Sequence, residues 1–141
     1  MTSVEPAVSG QGAIAHPAYL AHSEKFRPQA HKVNDRVWCA VGFGLSNVTL
    51  VLGDEGAILI DSGECNEEMA EAIESFGAAL DRPVVAVICS HSHYISGTAE
   101  VLKRWPGPIR IYAHEDVGQV MADVGAEIGP AYMRRLKVQF G

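Results

Sequence analysis

The stretch Val84-Val85-Ala86-Val87-Ile88-Cys89-Ser90-His91-Ser92-His93-Tyr94-Ile95-Ser96 decides the fold. Its first six residues are apolar without alternation and lie between two helical patterns, which predicts a buried strand in a parallel sheet rather than a half-solvated one. Two histidines follow at i and i+2. If the backbone stays extended past the strand, both imidazoles aim into the crevice at its carboxyl end, where open α/β sheets bind ligands.

Imidazole nitrogens suit zinc and similar borderline metals, and a catalytic zinc takes three protein ligands and leaves a fourth position open. His91 and His93 are two such ligands, or they are polar residues that close the strand end and hydrogen-bond to loop carbonyls. Cys89 shares their strand parity and is a further candidate, although an apolar run also suits a core cysteine. His114, after the next strand, is another candidate; with Glu115 and Asp116 it also suits the start of a helix.

Upstream, Ile60-Asp61-Ser62-Gly63 ends a second predicted strand in the same sense. A carboxylate there could hold an imidazole in one tautomer, or Asp61 could simply form the turn before Ser-Gly. Between the two strands, Met69, Ala70, Ile73, Phe76, Gly77 and Leu80 recur at helical spacing, with Asn66 as N-cap and glutamates in the first turns. Asp81-Arg82-Pro83 stops that helix.

Further upstream, Val37, Cys39 and Val41 alternate, Gly42-Phe43-Gly44 breaks the period, and Val48–Leu52 and Ala57–Ile60 form two strands joined by Gly53-Asp54-Glu55-Gly56. An antiparallel meander is expected there. Residues 1–32 carry no sustained period apart from a short turn around Ala18 to Lys25 and read as an extended arm, with Ile14, Tyr19, Leu20 and Phe26 as possible anchors. His16, His22 and His31 have no acidic or cysteine partner at ligand spacing and are expected at the surface. Downstream come a short helix from Gly97 to Arg104, a strand at Ile109–Ala113, a helix from Glu115 to Asp123, and a further helix over 131–138.

The chain has 141 residues and a formal charge of −6, with its acids scattered rather than gathered in a tail. One arm (1–32) and one globular unit (33–141) are expected, and nucleic acid is not expected as a partner. Three cysteines with no C-x-x-C pair do not make a disulfide framework, and no stretch approaches the roughly 18 apolar residues of a membrane span. A cytoplasmic location is expected. Gly42-Phe43-Gly44 is too short for a dinucleotide fingerprint, and no nucleophile elbow or phosphate loop is present.

The ordered series Asn47–Val51, Gly56–Gly63, Pro83–Ile88, His91-Ser92-His93 and Gly97 resembles the N-terminal half of a metallo-β-lactamase-fold hydrolase. Gly42-Phe43-Gly44-Leu45-Ser46-Asn47, the phrase before His91, and the closing Arg134-Arg135 to Gln139-Phe140-Gly141 are most similar to the linear alkylsulfatase branch. The resemblance implies an α/β (α+β) fold, an αββα sandwich of which this chain holds the N-terminal half: a mixed sheet with helices on one face. It also implies two metal ions, usually zinc, that activate water for attack on an ester-type bond. His91 and His93 match the first two histidines of the family's His-x-His-x-Asp-His motif, and Asp61 matches its early strand-end acid. The motif's aspartate and last histidine are Ile95 and Ser96 here, so at most one zinc site is supported.

Half a sandwich leaves an apolar sheet face without its partner layer. The chain is therefore expected to be a subunit of a metal-dependent hydrolase whose site a partner protein or a second copy completes, with a small-molecule ester as substrate. The other expectation is a non-catalytic homologue that keeps the fold as a binding or scaffold module.

Overall fold

The computed structural model describes residues 5–10, 12 and 14–140. Residues 1–4, 11, 13 and 141, which include the start of the expected arm and the closing Gly141, lie outside the described residues.

The arm has more local structure than its sequence predicts. Strands β1 (Ala7–Val8) and β2 (Ile14–Ala15) pair antiparallel, and helix α1 (Pro17–Ser23) follows. His16 caps α1, its Nδ1 accepting from the Ala18 amide at 3.1 Å, and Pro17 fits the first turn, where no amide donor is needed. The side chains of Ile14, Tyr19 and Phe26 do not anchor the arm, being 73%, 67% and 56% exposed. Its backbone does so instead: Gly42 holds φ at 85°, and a Cβ there would overlap the Phe26 carbonyl oxygen.

Six strands then form one sheet in the order β3 (Gln29–Asn34), β4 (Val37–Val41), β5 (Val48–Leu52), β6 (Ala57–Ile60), β7 (Val84–Ile88), β8 (Arg110–Tyr112). The sheet thus starts at Gln29, four residues before the globular pattern is visible in the sequence. Strands β3 to β6 are the expected antiparallel meander, with the Gly53 amide closing the β5–β6 turn on the Gly56 carbonyl at 2.9 Å. Strand β7 is parallel to both neighbours, as the unbroken apolar run requires.

Helix α2 (Asn66–Phe76) connects β6 to β7, and helix α3 (Thr98–Arg104) connects β7 to β8. Both crossovers step the same way across the sheet, so the right-handed rule for parallel connections places both helices on one face. Under them lies the core: Ala40, Val48, Leu50, Leu59 and Val87 from the sheet against Met69, Ala72, Ile73 and Phe76 of α2 and Val101 of α3. Cys65, not Asn66, is the N-cap of α2, without a side-chain bond; Glu68 turns back instead and accepts from the Glu64 amide at 2.9 Å. The helix ends at Phe76, where Gly77 takes a positive φ of 49° and a short 3-10 turn follows.

The two helices are joined by charge as well as by apolar contact. Glu100 of α3 is buried and receives Arg104 at 2.8 Å and Lys103 at 3.2 Å, while Arg104 also reaches Glu74 of α2 at 3.0 Å. Hydrogen bonds from Arg104 and then Lys103 hold the Glu100 carboxyl below its ordinary range.

Among the described residues, no helix contributes buried side chains to the other face of the sheet. Register puts Val37, Val51, Ile58, Ala86 and Arg110 in one row and Cys39, Thr49, Ile60, Ile88 and Tyr112 in the next. Strand β7, expected to be covered on both sides, is therefore covered on one, with Val85 and Ile88 among the exposed hydrophobic residues. Helices α4 (Val117–Asp123) and α5 (Gly129–Phe140), linked by a π-type turn, follow β8; α4 buries no residue. Among the described residues no helix is long and apolar enough to cross a membrane.

Candidate metal centre

Parallel pairing sets the site. Ile60 lies opposite Ile88, and the Asp61 amide donates to the Ile88 carbonyl at 2.8 Å, so the residues leaving β6 and β7 emerge side by side. Asp61 has φ of 59°, the one positive value for a non-glycine among the described residues. A backbone of this kind is rare outside glycine, asparagine and aspartate, and it persists where surrounding bonds determine it. Those bonds are visible: the carboxylate accepts from the Ser90 amide at 2.8 Å and from the Ser90 hydroxyl at 2.7 Å.

The chain of contacts continues to the first histidine. Ser90 Oγ lies 2.6 Å from His91 Nδ1. Asp61 thus reaches the imidazole through Ser90 rather than directly. The chain does not stay extended past Ile88; residues 91–94 form a turn, and this turn, not strand parity, brings His91 and His93 together with ring centres 5.9 Å apart. Tyr94 stacks its ring edge-to-face with His91 at 4.4 Å. Both histidines are exposed to solvent.

The turn is fixed from below. Ser62 is fully buried, its amide and hydroxyl donate to the Tyr94 carbonyl at 3.0 and 3.2 Å, and its hydroxyl shares a 2.9 Å bond with Thr98 at the start of α3. Gly97 sits so close that a Cβ would overlap the Ser62 carbonyl and press on Met69 and Cys65. Ile95 packs against the hydrophobic core. The position that the motif assigns to a metal-binding acid is therefore a core contact in this chain.

The weaker candidates go elsewhere. Strand β7 ends at Ile88, so Cys89 does not share a face with the histidines: its amide donates to the Tyr112 carbonyl at 2.8 Å, and the side chain enters the core. Burial, with Asp61 nearby, raises the Cys89 thiol above its ordinary pKa. His114 caps the segment before α4, its Nδ1 accepting from the Asp116 amide at 3.3 Å. His16, His22 and His31 are exposed, as expected.

Two imidazoles on a turn, one of them held through Nδ1, fit the donor chemistry of a borderline divalent ion. Among the described residues no group of three or more His, Cys, Asp or Glu stands where it could hold a metal ion. Among the described residues the two imidazoles therefore stand without a third such donor beside them.

Sequence alone missed Ser90 and Ser62. The signal for Ser90 was its place one residue before His91, just past the end of a strand parallel to the one that leads into Asp61. For Ser62 there was no sequence signal, because its partners lie 32 and 36 residues away.

Imidazoles and a carboxylate thus stand at the ends of adjacent parallel strands of a mixed α/β sheet that helices cover on one face. The metallo-beta-lactamase superfamily pattern matches residues 41–129, and the chain belongs to that superfamily. It is 27% identical over 97 residues to a linear primary-alkylsulfatase of a Pseudomonas sp. strain, an alignment covering 65% of this chain and 18% of that protein. Among solved structures, a stereoselective inverting sec-alkylsulfatase from Pseudomonas sp. superposes with a TM-score of 0.57 at 19% identity, over 77% of this chain and 21% of that one. A metallo-beta-lactamase from Pseudomonas aeruginosa in the mono-zinc form gives 0.54 at 20% identity, over 70% and 46%. At these identities the structural matches establish the fold alone. The chain spans about a fifth of the length of the alkylsulfatases it matches.

Proposed function

We propose that this chain is a subunit of a metal-dependent hydrolase of alkylsulfatase-like ester chemistry, its site completed by residues of a partner chain. The observation that carries the reading is the contact series Asp61–Ser90–His91 with His93 beside it, a supported pair of imidazoles at the strand ends. His91 and His93 would hold one zinc. When bound, the metal supplies Lewis acidity toward the ester and its water. Asp61 and Ser90 orient His91, Tyr94 bounds the site on one side, and Ser62 with Gly97 keeps the turn on the core. The open face of the sheet, rows Val37–Ile58 and Cys39–Tyr112, takes the partner chain or a second copy of this one.

The test is metal content and mass of the purified chain, alone and with its natural partners, followed by sulfate release from a primary alkyl sulfate. Zinc bound in the assembly, lost together with activity in His91→Ala, supports the reading. A well-behaved monomer that takes up no zinc with or without partners overturns it.

Ile95 favours a second reading. Because its side chain packs on the core and Ser96 has no anionic donor, the chain would serve as a non-catalytic binding or scaffold module. An assembly that forms normally but binds no metal and hydrolyses no ester is the outcome that selects it.

A further inference from the structure

We infer that Ser90 is a positioning residue that sets the tautomer of His91, keeping the proton on Nδ1 and leaving the Nε2 lone pair free. The inference deepens the proposed function, from which it takes only that Nε2 is the atom offered to a metal.

The number of protons available decides the tautomer. Asp61 accepts twice from Ser90, from the amide at Oδ1 (2.8 Å) and from the hydroxyl at Oδ2 (2.7 Å). A serine hydroxyl has one proton to give. Once that proton points at Asp61, the 2.6 Å contact between Ser90 Oγ and His91 Nδ1 holds only if the ring nitrogen donates. A neutral imidazole with its proton on Nδ1 has none on Nε2. The backbone amide of Ser90 matters as well: it locks the carboxylate so that the second oxygen faces the hydroxyl, and the strained φ of Asp61 keeps that orientation. A direct carboxylate–imidazole contact would give the same tautomer, but here the turn at residues 91–94 has moved the ring one hydroxyl away.

The sign of this relay depends on the group at residue 61. In Asp61→Asn, an amide nitrogen in the place of Oδ2 donates to Ser90 Oγ, the hydroxyl turns to donate to His91 Nδ1, and the ring must carry its proton on Nε2. The fold loses little, since Asn tolerates a positive φ as Asp does.

Long-range nitrogen–proton correlation spectra of the histidine-labelled 141-residue chain, without metal and above the imidazole titration range, read the tautomer of each ring directly. Wild type is expected to show His91 protonated on Nδ1. Ser90→Ala and Asp61→Asn are expected to move it to the Nε2-protonated form, Ser90→Thr to restore the wild-type pattern, and His93 to stay unchanged throughout. Amide dispersion checks that each variant is folded, and the Asn and Thr variants keep the test decisive if the Ala variant is not. A wild-type ring protonated on Nε2, or an Nδ1-protonated ring that persists in the folded variants, overturns the inference. Because no metal is present, the result is independent of zinc binding: a confirmed tautomer in a chain that never binds zinc would sink the proposed function and leave this inference standing.

Discussion

The two faces of one sheet are built from alternate residues of the same strands and meet opposite fates. On the covered face Leu50, Leu59 and Val87 are fully buried beneath α2 and α3; on the other, Ile88 is 37% and Tyr112 51% exposed. Hydrophobicity differs little between them. What separates them is the handedness of two crossover connections, which sends both helices to one side. The difference teaches that an apolar run does not by itself say how many of its faces are covered: here two helices cover one face of the sheet and leave side chains such as Ile88 and Tyr112 of the other exposed.

The comparison is most sharply tested by a pair of truncations. Leu59→Ala removes a fully buried side chain and is expected to cost about 2–5 kcal/mol in urea unfolding, whereas Ile58→Ala, one residue away on the open face, should cost less than about 1.5 kcal/mol in the isolated chain. Equal losses would show that the open face is covered in solution. Next, Gly97→Ala forces a Cβ against the Ser62 carbonyl and should cost about 1–3 kcal/mol; unchanged stability would mean that the turn moves freely over the core. Replacing Ile60 and Tyr112 by lysine should weaken dye binding by exposed apolar surface and any concentration-dependent mass, with little change in unfolding midpoint. A large drop in midpoint would place these residues in a folded core.

Smaller effects belong to the charges. The Glu100 carboxyl is held below its ordinary range in the folded chain, so its contribution is present at neutral pH and fades as pH falls from the ordinary carboxylate range, around 4.3, through the lowered value. Wild type should therefore be more stable than Glu100→Gln at pH 7, with the gap closing in acid. Least of all is expected from the exposed Arg36–Asp54 pair between two turns at the strand ends, 2.8 Å long, where Asp54→Asn should change stability by under about 1 kcal/mol and less in salt.

Much of this architecture was legible in the residues. The unbroken run 84–89 predicts a parallel strand, the meander follows from alternation and the Gly53–Gly56 turn, and the order of segments carries the family resemblance. The site was legible only in part. His91, His93 and Asp61 stand out by type and position, but their connection through Ser90 depends on a register between strands 29 residues apart, which periodicity does not encode. The extension of the backbone past Ile88 was the wrong premise for Cys89, because bonds from Ser62 to the Tyr94 carbonyl draw the chain into a turn. The start of the sheet at Gln29 was hidden because Gln29, His31 and Lys32 form an edge strand whose polar side chains hide its period.

Ile95 has a consequence for the history open to this sequence. Its missing carboxylate reads as a simple vacancy in a motif, one codon from repair. Since the side chain is seated on the core, however, restoring the acid would withdraw an apolar contact and bring a charge to its edge, while a ligand gained alone, without a histidine for Ser96, completes nothing. An acid at residue 95 alone therefore costs packing without completing a metal site. For a fold with only a modest margin of stability, an acid at residue 95 would have to be offset elsewhere in the packing before it could persist.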